Sequence, residues 1–184
     1  MGFVICRVFL FSALVASLLV PTALKLVTYG FKLEKLHLDL QFQAPQMPEL
    51  ASEEQINQAL RQPYFFLGKG AQCYAFESQD HQYVLKLLRF DRNCASGGRG
   101  IDGTKVAKVF KAFQLAAEEM PIETGLIYLH LNPATKSLPS VAISGPAWHR
   151  HVISLDTVRF ILQRKAEPFS MILEHHTKQK IDSL

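Results

Sequence analysis

The chain has 184 residues, room for one domain with a real core and an appendage. Apolar residues make up 48% of it, which excludes a disordered chain. The net charge of +4 is mild, and Lys25, Lys32, Lys69, Lys86, Lys105, Lys111, Arg150 and Lys178 are scattered rather than gathered in a stripe, so no nucleic-acid interface is expected.

Three cysteines, Cys6, Cys73 and Cys94, form no CxxC pair, and their odd number argues against a disulfide scaffold. A Cys73–Cys94 bridge stays open if the body is exported. No metal site is expected. No histidine has another ligand at metal spacing, and adjacent His175 and His176 would point about 100° apart on a helix.

The N-terminal stretch "FVICRVFLFSALVASLLVPTAL" is the most hydrophobic part, without a charge from Val8 to Val20. As a helix that run is about 20 Å long, short for a hydrocarbon core of roughly 30 Å. Continuing to Leu24 adds length, although Pro21 bends or ends a helix. A membrane anchor is the favoured reading, since "VPTA" is a poor cleavage site. A cleaved signal peptide and a buried helix are the alternatives. Lys25, Lys32 and Lys35 after the run, against Arg7 before it, lean toward a single-pass protein with a cytoplasmic body. A cleaved signal would export the body.

The expected organisation is an anchor or signal at 1–25, a juxtamembrane linker at 26–51, a folded unit at 52–168 and a short helical tail at 169–184. Within the linker, "KLHLDLQFQ" alternates strictly and predicts a half-buried strand. Ser52 and Gln55 form a capping box before a short helix that ends by Pro63. "FLGKGAQCYAFESQDHQYVLKLL", residues 66–88, reads as two or three strands. Residues 91–103, with four glycines, read as a mobile loop. Thr104 is the expected N-cap of an amphipathic helix whose Val106, Val109, Phe110, Phe113, Ala116 and Ala117 share one face. "TGLIYLHLN", "VAIS", "HVISLD" and "TVRFILQRKA" are further strand runs. The fold class is α+β, an antiparallel sheet of about five strands with one main packed helix.

The chemistry concentrates between residues 66 and 88. Glycine removes the side chain that would block backbone approach to a phosphate, and Gly68, Lys69 and Gly70 supply the GxG spacing. Lys86 follows within the apolar run "YVLKLL", where a charge is costly unless paired. A partner carboxylate from the amphipathic helix is Glu119 or Glu118, with Glu119 on the better edge. Taken alone, these residues also read as turn glycines, a lysine whose stem packs on the sheet while its amine reaches water, and solvated helix-end charges. His130 reads as a satisfied or surface histidine.

On Gly68-Lys69-Gly70, Lys86 and the helix that follows, the chain resembles the small lobe of a eukaryotic-type protein kinase, across roughly residues 60–168. It is also similar to kinase-like proteins of chlamydia-type bacteria. The resemblance implies a five-stranded sheet, a regulatory helix, ATP beneath the glycine loop, and a lysine paired to a helix glutamate. "TGLIYLHLN" and "FILQRKAE" would be the fourth and fifth strands, leading to a hinge at Lys165–Pro168. This chain departs from the pattern: Cys73 stands at the third glycine, Gln72 at the loop-tip aromatic and Ala75 at the valine after the loop. About sixteen residues follow Pro168, so the catalytic-loop Asp and the DFG magnesium ligand of the large lobe are not expected here. "WHRH" carries His151 where the Asp would stand.

The expected function is a membrane-anchored, catalytically incomplete, nucleotide-binding pseudokinase fragment, truncated before the large lobe, with the membrane and either a protein partner or the missing large lobe as its expected partners. The alternative is an unrelated α+β interaction module at a bacterial membrane. Contact between Lys86 and Glu118 or Glu119 would separate the two.

Overall fold

The computed structural model describes Ser17 and residues 28–37, 44, 47–48, 50–91, 101–132, 138–146 and 149–166. The expected anchor (apart from Ser17), the expected tail helix, Cys6, Cys94, His175 and His176 lie outside these. Among the described residues no helix is long and apolar enough to cross a membrane.

Helix α1 (Glu53–Leu60) starts at the expected capping box: the Ser52 hydroxyl accepts from Gln55 N–H, and the Gln55 side chain returns to Ser52 N–H. The strands are β1 (Tyr64–Lys69), β2 (Cys73–Ser78), β3 (Tyr83–Leu88), β4 (Leu126–His130), β5 (Ser140–Ser144), β6 (Arg150–Ser154) and β7 (Phe160–Arg164). Helices α2 (Gly103–Glu119) and α3 (Pro121–Thr124) lie between β3 and β4. Gly125, in the left-handed conformation at φ 63°, ends α3 and turns the chain into β4.

All seven strands form one curled sheet in the order β4-β7-β3-β2-β1-β5-β6. The α+β class stands, but the sheet is mixed and larger than expected. The β5–β6 hairpin adds two strands, and β5 runs parallel to β1. Two local expectations also change. Leu33–Leu36 forms one 3-10 turn that buries Leu36 and takes in Lys35 and Leu36 of the run expected as a strand, while residues 38–43 of that run lie outside the described residues. The N-cap of α2 is Asp102, not Thr104: its carboxylate accepts from the N–H groups of Thr104 and Lys105.

Side chains on the two faces of the sheet build two cores. One holds Tyr64, Tyr74, Phe76, Leu85, Leu87, Phe160 and Leu162 with Leu60 of α1 and Leu36. The other holds Leu88, Leu129, Leu131 and Ile161 beneath Val106, Phe110 and Ala117 of α2. The helix uses the face its spacing predicts.

His130 is buried, 4% exposed, between Tyr128 and Phe160, rather than at the surface. Burial pushes its pKa down to about 4, and the nearby Arg159 charge adds to this. The unfolded chain takes up this proton near about 6.5. Between those values the unfolded state binds more protons, so this stability is full above about pH 6.5 and is lost as pH falls toward 4. In urea titrations across that window, His130→Gln should flatten the acid-side decline relative to wild type. An unchanged slope would show that His130 titrates normally.

Candidate functional site

The site is built by sheet register. Gly68 stands opposite Ala75, Ala75 opposite Lys86, Lys86 opposite Ile161, and Ile161 opposite Leu129. Residues directly opposite share a face, so these five form one row across β1, β2, β3, β7 and β4. Leu129 and Ile161 lie under α2. Beyond them the row continues as lysine, alanine and glycine, so its floor becomes low and open. The run "YVLKLL" places Lys86 on the face that α2 covers, because its neighbours Leu85 and Leu87 belong to the opposite core.

The glycine loop is the β1–β2 connection. Gly70 N–H donates to Cys73 O at 2.8 Å, and Arg89 N–H donates to Gln72 O at 2.9 Å. A register shift in β1 between Phe66 and Gly68 precedes the loop. Neither Gly68 nor Gly70 has a positive φ; among the described glycines only Gly30 and Gly125 do. A Cβ built on Gly68 would meet nothing within 4 Å, and one on Gly70 would make ordinary contacts with Cys73 at 3.6 Å. Backbone conformation and crowding therefore explain neither glycine.

Lys86 is half-buried. Its expected carboxylates do not reach it: among the described residues Lys86 makes no ion pair, Glu118 accepts from Gln114 at 2.7 Å, and Glu118 and Glu119 are both exposed. The physical reason is angular: Glu118 and Glu119 follow the buried Ala117 by about 100° and 200° around the helix, off the stripe of Val106, Phe110 and Ala117 that meets the sheet. The sheet thus brings together Gly68, Gly70, Lys86 and Cys73, and leaves Glu118 and Glu119 outside. Lys69 points from the opposite face toward Gly30, where an added Cβ would lie 3.6 Å from its Nζ. Burial pushes the Cys73 thiol up, while the charges of Lys86 and Arg89 offset part of that shift.

At the sheet end beside the loop lies a cluster the sequence reading passed over. The Arg89 guanidinium, almost fully buried, clasps Asp91 with two hydrogen bonds and sits 5.1 Å from the centre of the Tyr74 ring. Arg89 holds the Asp91 carboxyl below its usual range, and Lys35, at 3.4 Å, adds to the effect. The signal was "LRFDR": Arg and Asp two apart at a strand end project to the same side. At the other end of β2, Glu77 pairs with His81 at 2.9 Å and with Lys165, the first residue of the expected hinge. A pocket bordered by Leu50, Gln55, Tyr83 and Arg164 includes neither Gly68, Gly70 nor Lys86. Among the described residues no three His, Cys, Asp or Glu side chains converge as a metal site.

No protein family, curated protein or solved structure matches this chain in comparisons with each.

Gly68→Ala tests whether the fold itself asks for glycine. With open space and no left-handed backbone, the alanine variant should be as stable as wild type or up to about 1 kcal/mol more stable. A urea midpoint clearly below wild type would mean that the loop needs glycine for its own sake.

Proposed function

We propose that the face carrying Gly68, Ala75 and Lys86 binds the phosphates of a nucleotide, as a kinase-like small lobe that does not itself transfer phosphate. The observation that carries this reading is Gly68. It is a strand glycine that neither φ nor packing requires, standing in one sheet row with a half-buried lysine. Glycine inside a strand lowers stability, and close approach of a ligand is a physical reason to keep one. Lys86, without a carboxylate among the described residues, would gain a counter-charge from a phosphate.

Element order is consistent with the resemblance. A glycine hairpin leads to a strand lysine and then to a helix on the lysine's face. β4 and β7, the two runs assigned as fourth and fifth strands, follow it. β7 lies directly against β3, with Ile161 opposite Lys86. Two features depart from an active kinase lobe: Lys86 lacks its helix glutamate, and this chain carries no catalytic-loop Asp or DFG. The role assigned to the ligand in this reading is binding, with ATP as the first candidate. The apolar segment at 8–24 would hold the unit at a membrane, with a protein partner supplying any large lobe.

A second reading, an interaction module unrelated to kinases, is favoured by the uncovered half of the same face. Phe65 is 39%, Leu67 54% and Val152 74% exposed, and β6 is a sheet edge.

Thermal unfolding of the full chain with ATP, with and without magnesium, separates the readings. Ligand at a hundred times its Kd should stabilise wild type by about 2.7 kcal/mol. Lys86→Ala and Gly68→Ala should both lose that shift. No shift in wild type, or equal shifts in all three proteins, would remove the nucleotide reading.

A further inference from the structure

Residues 28–37 cross the end of the sheet beside the glycine loop and are bonded to it at several points. Tyr74 Oη donates to Gly30 O at 2.8 Å, and Lys35 Nζ donates to the same oxygen at 3.0 Å. Phe31 packs edge-on against Tyr74 at 4.9 Å and Phe76 at 5.7 Å. Leu36 is fully buried in the core beneath. Phe90 N–H donates to Lys35 O at 2.9 Å. Lys35 also pairs with Asp91, which holds Arg89, whose own N–H is bonded to Gln72 O at the loop tip.

We infer that residues 28–37 are a strap that fixes the glycine hairpin, so that tension or release in this segment regulates the phosphate-binding face. The regulatory half rests on the nucleotide reading; the strap itself does not.

Three physical points support it. First, the loop is poorly held by its own contacts: Gly70, Ala71 and Gln72 are exposed, and Gly70–Cys73 is the backbone bond that closes it. Its outside supports run through Arg89 and Tyr74, and both of those side chains are engaged by the strap or by Asp91. Second, Arg89 is a buried charge, 4% exposed, and its position depends on Asp91 keeping a fixed place. Lys35 is the strap residue that ties Asp91 down. Third, Tyr74 and Cys73 are neighbours on β2 that face opposite ways. Tyr74 faces the strap, and Cys73 lies on the Lys86 side. A shift of the strap therefore reaches the ligand face through one strand, without a relay across the core.

Hydrogen exchange of the full chain tests this. The variant is Lys35→Met with Tyr74→Phe, which removes both side-chain bonds to Gly30 O and the Lys35–Asp91 pair while keeping apolar volume. The Gly70 and Arg89 amides, which close and support the loop, should exchange about tenfold faster. Amides of Leu85, Leu87 and Leu162 should not change. As a control, Lys165→Met cuts the Glu77 pair at the other end of β2 and should leave the hairpin unchanged. Unaltered hairpin exchange, or an equal rise across the whole sheet, would overturn the strap. ATP-induced thermal shifts measured on the same variant read the other half. A weaker shift than wild type supports regulation, and an equal shift overturns it. A faster hairpin with no ATP shift even in wild type would leave the strap standing and remove the nucleotide reading.

Discussion

β3 is apolar on both sides, and the rest of the structure depends on satisfying both. Leu85 and Leu87 enter one core, while Val84 and Leu88 are buried on the other face. Each face therefore needs its own cover. Phe31, Leu36 and α1 serve one, and α2 serves the other. Such two-sided burial is the usual state of a central strand, and β3 sits third from one edge and fifth from the other, with β2 and β7 beside it. Lys86 is the one charged residue of this strand. It falls where the cover of α2 gives way to open floor, so its amine need not be fully desolvated.

That boundary is what makes the face chemically distinctive. Ile161 and Leu129 lie under the helix, and Ala75 and Gly68 carry too little side chain to fill the space beyond. A row passing from packed to bare across a positive charge can admit an anion at its open end and exclude water at its closed end. On the opposite face, Phe31 packs edge-on against Tyr74 and Phe76. The loop that borders the open end takes its support from that face. In the proposed reading, rigidity on one side of the sheet serves access on the other.

Much of this was legible from residue order. Ser52–Gln55 announced α1 because a capping box is a local device that needs no tertiary partner. The spacing of Val106, Phe110 and Ala117 announced the buried stripe of α2 for the same reason. The runs for β4 to β7 were legible as strands, but their pairing was not. Nothing local says that β5 should run parallel to β1, since Tyr64 meets Ile143 only through the folded core. Of "KLHLDLQFQ", only Lys35 and Leu36 fall in the 3-10 turn, which forms from local spacing just before the run. In the site, Gly68, Gly70 and Lys86 were legible as a motif. The failure of Glu118 and Glu119 to reach Lys86 was not, because it depends on how α2 is turned about its axis over the sheet. The Arg89–Asp91 clasp escaped notice because its third member, Lys35, comes from a segment more than fifty residues upstream.

The most direct test maps ligand contact on the sheet itself. Amide NMR shifts of the full chain, titrated with ATP, should move first at Gly68, Gly70, Ala75 and Lys86, and those shifts should vanish in Lys86→Ala. Shifts confined to β6 around Val152, or no shift at any ligand concentration, would contradict a phosphate site on this face.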